Sequence, residues 1–521
     1  MKKRIRNVCI ALAALLICCM GCQTKVSAAE KTPAEQFLYK YNSAYQGIEL
    51  TKYQGKDAVV NIPEEINGVK VTAIGTECFY KKSKLTSVTM PDTIVSIGDQ
   101  AFALCSTLET VTWPKMLKHI GTEAFIMCKI RSFTMPDHLA EIGTDAFWGC
   151  NSLTDVVCSK ELTELNGTFS KCGNLKTVRF SSPSKITKIG KDTFYCNSSL
   201  KEIEIPSSVT EISEDVFYLS GLEQITFAAN SSLFKIGSEA FAFTNLKSIV
   251  LPDSLTELGK SAFSECKNLT DVTCSKNLAE LDSTFYKCYK LKTVTFPPDS
   301  KLTRIGDEAF YYCMKLKQIQ IPRFVKEIGV RAFYWCEKLK AVKIPASVIK
   351  IDEQAFYNAA LNKLAFAKGS KLKEIGSEAF YMCSFETVKL PASLEKMGQF
   401  LFDDCYSLKK ITFAKNSKMK KIPEYCFGNC YHLDEVEIPE NVISIGNNLF
   451  KSSSYSVGEK KCNRISKIHI KGGKVKKIGK TAFDGLRSNA VIAVPKKYEN
   501  KYKMILQKQK FYKETMRIKA I

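Results

Sequence analysis

Cysteine and histidine are the side chains most able to act as nucleophiles, metal ligands or disulfide partners, and this 521-residue chain has 21 of the first and four of the second. Their spacing is repetitive rather than convergent. Eleven cysteines (Cys105, Cys128, Cys150, Cys172, Cys266, Cys288, Cys313, Cys336, Cys383, Cys405 and Cys430) each stand three residues after a phenylalanine. In stacked parallel coils such rungs would lie ~4.8 Å apart with side chains aligned, wider than the ~3.8 Å between the Cβ atoms of a relaxed disulfide. Free buried thiols are expected. Cys158 and Cys274 occupy equivalent strand positions and read as core, whereas Cys19-x-x-Cys22 has zinc-ligand spacing inside a segment expected to be removed. The histidines, His119, His138, His432 and His469, fall in unrelated positions, and the chain holds no H-E-x-x-H, G-x-S-x-G or Walker-type loop. The expectation is a protein that is not an enzyme and uses no cofactor or metal.

Two other patterns suit binding. The two positions after the repeated phenylalanine are rich in aromatics, most densely at Tyr286, Tyr311, Tyr312, Tyr334, Trp335, Tyr357 and Tyr381. Rigid rings along one edge would make a contact strip for a protein or glycan, unless the rings only pack over neighbouring coils. The second pattern is charge. Of the net +23, residues 1–28 carry +5 and residues 451–521 carry +16, which leaves +2 for the repeat body. The C-terminal lysines Lys471, Lys474, Lys476, Lys477, Lys480, Lys496, Lys497, Lys501 and Lys503 form a candidate polyanion patch, or simply a solvated end cap. For an exported chain, anionic cell-wall polymer, anionic lipid or glycosaminoglycan fits such a patch better than nucleic acid.

The elements that position these residues come from a repeat. The unit Ile305 to Pro322, I-G-D-E-A-F-Y-Y-C-M-K-L-K-Q-I-Q-I-P, recurs with its phenylalanine at 18 places from Phe79 to Phe483, 22 to 25 residues apart except for one step of 33. Such a period signals stacked coils, each too small to cover its own apolar face. Leu316, Ile319 and Ile321 predict a short strand ended by Pro322, and Val325, Ile328, Ala332, Phe333 and Cys336 predict a return leg with one or two tight helical turns. Residues after the repeat glycine (Thr76, Asp99, Thr122, Thr144, Ser238, Asp307, Ser377) suit helix N-caps, followed by acids such as Glu123, Asp145, Glu239, Glu308 and Glu378. This acidic ladder reads as capping rather than a calcium site, because no loop has dense Asp/Asn/Gly spacing.

The pattern L-x-x-(V/I)-x-(F/I/L)-P-x-x-(L/V)-x-x-I-G-x-x-A-F-x-x-C resembles the leucine-rich repeat of BspA-like (Treponema pallidum-type) surface proteins, over roughly residues 60 to 485. The resemblance implies an α/β solenoid, a right-handed leucine-rich-repeat horseshoe or rod of about 18 coils with one long parallel concave sheet. It also implies an extracellular or cell-surface protein that adheres to host proteins or other cells. Departures at Leu165 to Phe169, Leu281 to Phe285 and Met397 to Phe402 place local coil geometry, not the fold, in question. Residues 153–194 match 269–310 in 25 of 42 positions, so the array has grown by copying blocks of coils, as suits a lengthening surface or spacer.

Four domains are expected: a signal peptide over 1–28, an N-terminal cap over 29–60, the solenoid over 61–485 and a basic C-terminal cap over 486–521. The leader shows Lys2, Lys3, Arg4 and Arg6, an apolar run from Val8 to Met20, too short for a permanent membrane span, and Val26-Ser27-Ala28 before a cleavage site. Lipidation at Cys22 is the alternative reading. The favoured function is an exported adhesion or protein-interaction module for an extracellular protein or glycan; the alternative is a wall-associated spacer held non-covalently by its basic end.

Overall fold

A computed structural model describes residues 30–451, 465–484, 486–509, 512 and 514–521. The leader, Cys22 and Ser452 to Ser456 lie outside the described residues.

The apolar alternation in each repeat makes a strand whose buried residues stack on their counterparts one coil away. In Asp155–Cys158 the side chains of Val156 and Cys158 are buried, and Val156 pairs in parallel with Phe133 on one side and Val178 on the other. A second parallel ladder runs along the stack on the I-G leg. Its strands are two residues long, as in Lys188–Ile189, Glu211–Ile212 and Lys235–Ile236, with Ile189, Ile212 and Ile236 in register. The buried leucines, isoleucines and valines of both ladders share one core with the phenylalanines.

The return leg differs from the expected helical turns. It is a run of overlapping tight turns with two left-handed residues per coil, such as Asp215 (φ 57°) and Leu219 (φ 55°) beside Phe217. Tyr218 N–H donates to Asp215 O within the coil, while Asp215, Phe217 and Leu219 N–H donate to Ser238, Ala240 and Ala242 of the next coil. A helix would turn its amides back on its own chain four residues earlier. Here alternate amides point along the stack instead, so the return leg also binds its neighbour.

The phenylalanines form an unbroken column from Phe79 to Phe483, with successive ring centroids 4.7 Å apart at Phe79–Phe102 and 6.3 Å at Phe450–Phe483. Tyr53 continues the column one coil earlier, 5.0 Å from Phe79. The repeat glycine is required by closeness rather than by its own dihedrals: a Cβ on Gly237 would lie 2.4 Å from the Glu214 amide nitrogen of the preceding coil.

Both ladders are interrupted, and most of the breaks coincide with departures in the sequence. The I-G ladder breaks between Ile142 and Leu165 and between Leu258 and Leu281, where the segment from the strand to the phenylalanine is one residue short. It breaks again between Met397 and Ile422, where Pro423 replaces the glycine and has no N–H to donate. The other ladder parts after Thr112, and also after Phe180, Phe227 and Phe366, where longer turns (residues 181–184, 228–231 and 367–370) divert the chain, although the turn of the same length at residues 414–417 leaves its strands paired. At residues 317–321 the expected strand loosens, with Lys317 N–H reaching Lys292 O at 3.5 Å.

At the N-terminal end Phe37–Asn42 and Gly47–Tyr53 form an antiparallel hairpin, and the second strand pairs in parallel with Val69–Ile74. At the C-terminal end Val491–Val494 pairs with Arg517–Ala520, and the helix Glu499–Leu506 buries Tyr502 and Leu506.

Candidate functional site

The first position after the phenylalanine faces outward across the turn, and five consecutive coils place a tyrosine there. Tyr286, Tyr311, Tyr334, Tyr357 and Tyr381 stack face to face at 4.9, 5.0, 4.7 and 4.5 Å. A second, shorter column, Tyr312 on Trp335 at 5.4 Å, runs beside it, with Tyr312 edge-on to Tyr311 at 4.8 Å. All seven rings are half-buried. Each long-column ring thus packs over its neighbours and still presents its outer edge. The strip is held rigid before any partner arrives.

A polar ladder fixes the strip from one side. Arg331 lies 4.0 Å from Glu308 and donates from Nε to Gln354 at 2.6 Å, and Gln354 donates to Glu378 at 2.8 Å. The C-terminal end is anchored by residues that sequence reasoning missed. Tyr381 donates its hydroxyl proton to the buried carboxylate of Asp404, whose other oxygen accepts from Asn429 Nδ2 at 2.5 Å. The only sequence signal was the break from A-F-x-x-C to L-F-D-D-C at 401–405. Burial pushes the Tyr357 phenol up to about 12 and raises that of Tyr381, where Asp404 adds to the effect, so both hydroxyls stay neutral and able to donate.

The cysteine ladder has a structural role. Each of the eleven thiols donates to the carbonyl of the phenylalanine one coil back, for example Cys105 to Phe79 O at 3.1 Å and Cys336 to Phe310 O at 3.3 Å. That carbonyl also accepts the turn bond of its own coil, as Phe102 O does from Cys105 N–H and Cys128 Sγ. Among the described residues no two cysteines are joined in a disulfide, and Cys158 and Cys274 are buried in the core.

The residues read as helix caps bond between coils instead, because no helix is present there to cap. Asp99 Oδ1 accepts from Thr122 N–H at 2.8 Å, and Asp307 Oδ1 from Val330 N–H at 2.9 Å. Among the described residues no group of three or more His, Cys, Asp or Glu is placed to hold a metal ion.

The basic end divides into paired and unpaired lysines. Lys471 pairs with Glu437 at 3.2 Å and Lys503 with Glu499 at 2.7 Å, while Lys474 donates to Asn441 and Lys501 to Gly473 O. Lys476, Lys477, Lys480, Lys496 and Lys497 are exposed, with no carboxylate at ion-pair distance among the described residues.

Parallel coils around a phenylalanine column, with a leucine or isoleucine core on two ladders, define a leucine-rich-repeat solenoid of the kind used for protein interaction. The profile of the BspA type leucine rich repeat region (6 copies) matches residues 72–195, 165–235, 234–362 and 350–457, and the chain belongs to that family. Among solved structures, a leucine-rich repeat protein from Bacteroides ovatus is 28% identical, with 74% of this chain and 100% of that chain covered and a TM-score of 0.56. The T. pallidum leucine rich repeat protein is 25% identical over 46% of this chain and 91% of its own, with a TM-score of 0.31. The pneumococcal vaccine antigen PcpA is 19% identical over 74% of this chain and 99% of its own, with a TM-score of 0.41. No curated protein gives a significant match. No helix among the described residues is long and apolar enough to cross a membrane.

Proposed function

We propose that this chain is an exported, cell-surface-associated adhesion module that binds an extracellular protein or glycan through the aromatic edge at Tyr286, Tyr311, Tyr312, Tyr334, Trp335, Tyr357 and Tyr381. The observation that carries the reading is the rigid double column: large ring edges are fixed in place, so little conformational entropy is lost on contact. Export rests on the basic and apolar leader over 1–28. The chain acts by binding, not by catalysis. Tyr312 and Trp335 are the residues to remove, because the five-ring column closes without them. Tyr312→Ala with Trp335→Ala is expected to abolish binding to extracellular-matrix proteins with the thermal melt unchanged; retained binding refutes the reading.

One observation favours a second reading. The five unpaired exposed lysines at the C-terminal end would hold an anionic cell-wall polymer, making the solenoid a spacer. Binding to producer cells that fades with salt and is lost when these lysines become glutamine supports the spacer. Binding that survives both supports adhesion through the edge.

A further inference from the structure

A parallel stack has two ends, and each bares the outer edge of its last strand unless something covers or blunts it. At the C-terminal end the outermost strand, Arg517–Ala520, carries Arg517 and Lys519 at its two outward positions, and helix Glu499–Leu506 packs against it. At the N-terminal end one ladder starts at Val59–Asn61 and is covered by residues 30–32. Thr32 N–H donates to Asn61 O, and Asn61 N–H donates to Thr32 Oγ1, both at 2.9 Å.

The other ladder starts with Phe37–Asn42, and among the described residues no strand covers its outer edge. The strand pairs only with Gly47–Tyr53, and on its far side the one backbone group with a partner among the described residues is Phe37 N–H, which donates to Ala34 O. It reads F-L-Y-K-Y-N, without proline, and its one cation, Lys40, is already 3.4 Å from Glu49. Leu38, Tyr39 and Tyr41 are 47%, 40% and 64% exposed, and Tyr45 at the hairpin tip is 38% exposed, although the strand lies within a sheet. The strand edge faces along the stacking direction, away from the body, so a further strand meets no obstruction from the coils.

Charge separates the two ends. Residues 30–75 carry five basic and six acidic residues, against +16 over 451–521. Two C-terminal ends repel one another; two N-terminal ends do not.

We propose that Phe37–Asn42 is a homophilic docking edge, through which two copies of this chain join head to head by antiparallel pairing of the strand with itself. This goes beyond the adhesion reading and does not depend on it. A two-fold axis through an antiparallel pair keeps the faces of the sheet, so it must pass opposite a single residue. With Tyr39 on the axis, Tyr39 meets its own copy, Phe37 meets Tyr41 of the other copy, and Leu38 lies along the Lys40 stem. Aromatic cross-strand pairs of this kind are favourable. With Lys40 on the axis two like charges would oppose each other, so the first register is the one selected. The joined molecule carries two aromatic edges, which gives a second contact at high effective concentration once the first has formed.

The test is the mass of the purified chain by sedimentation equilibrium over a wide concentration range. The expected mass is twice that of one chain. Leu38→Lys, which sets lysine against Lys40 of the other copy, and Tyr39→Asp, which sets like charges on the axis, are each expected to give single chains with an unchanged thermal melt. Leu38→Lys combined with Lys40→Glu is expected to restore the dimer, because each lysine then faces a glutamate. A single-chain mass at every concentration, leaving the edge for a strand of some other protein, overturns the proposal. So does a dimer that survives both single variants, or a double variant that stays monomeric.

Discussion

Alkaline pH should unfold this stack through its thiols, and replacing four of them should flatten the response. Cys105, Cys128, Cys150 and Cys172 stand in consecutive coils, all buried, each bonded to a phenylalanine carbonyl. Burial pushes the Cys105 thiol up to about 11 and Cys150 to about 12, and raises Cys128 and Cys172 well above the ordinary value. An unfolded thiol titrates near ~8.5. Below that pH both states are protonated and the stability is intact. Above it the unfolded chain releases protons that the folded chain keeps, so stability falls as pH rises toward the folded values. At pH ~10 each thiol costs roughly 2 kcal/mol, and the four about 8 kcal/mol, within the ~5–15 kcal/mol that stabilises an ordinary domain. Trp113 and Trp148 lie in these coils, so in a Trp335→Phe background urea unfolding followed by tryptophan fluorescence reports on this segment. The quadruple Cys→Ala variant will be less stable at neutral pH, having lost four S–H donors. Its stability should nevertheless fall with pH less steeply than that of the parent, by about 5 kcal/mol per pH unit above pH ~9. Parallel curves for the two proteins would refute the argument.

Three further outcomes are expected. Gly237→Ala drives a methyl group to 2.4 Å from Glu214 N, against the backbone of Ser213 and Glu214, and should cost about 3 kcal/mol by overpacking; an unchanged melt would show that the coils need not approach so closely. Met127→Gly should raise stability by ~0.5–1 kcal/mol, since Met127 is exposed and held at φ 58°, and a fall in melting temperature would contradict the assigned turn. Lys476→Gln with Lys477→Gln should reduce the salt slope for a polyanion such as heparin by about 2, whereas an unchanged slope would place binding elsewhere.

Much of this protein was written in one dimension. The phenylalanine period fixed the number of coils, the alternation in segments such as Asp155–Cys158 fixed which side chains face the core, and the slot of Cys105 and its counterparts fixed thiols where only a small buried donor fits. Even two of the ladder breaks were legible, because the shortened steps Leu165 to Phe169 and Leu281 to Phe285 remove one residue from a path whose length the stack prescribes.

What the sequence left open depends on contacts between residues about 23 apart, where the pattern shows which positions meet but not how their groups are directed. The spacing around Phe217 fits a helical turn as well as it fits overlapping turns. Only the proximity of the next coil, which takes up the amides of Asp215, Phe217 and Leu219, selects the left-handed residues. The tyrosines were visible as candidates, yet whether they stand apart or stack on each other was decided by the separation of the coils. Asp404 beneath Tyr381 broke the repeat without explaining itself until the fold brought Asn429 beside it. The bare edge at Phe37–Asn42 is likewise tertiary in origin: a strand reveals its unpaired side only once its partner on the other side is known.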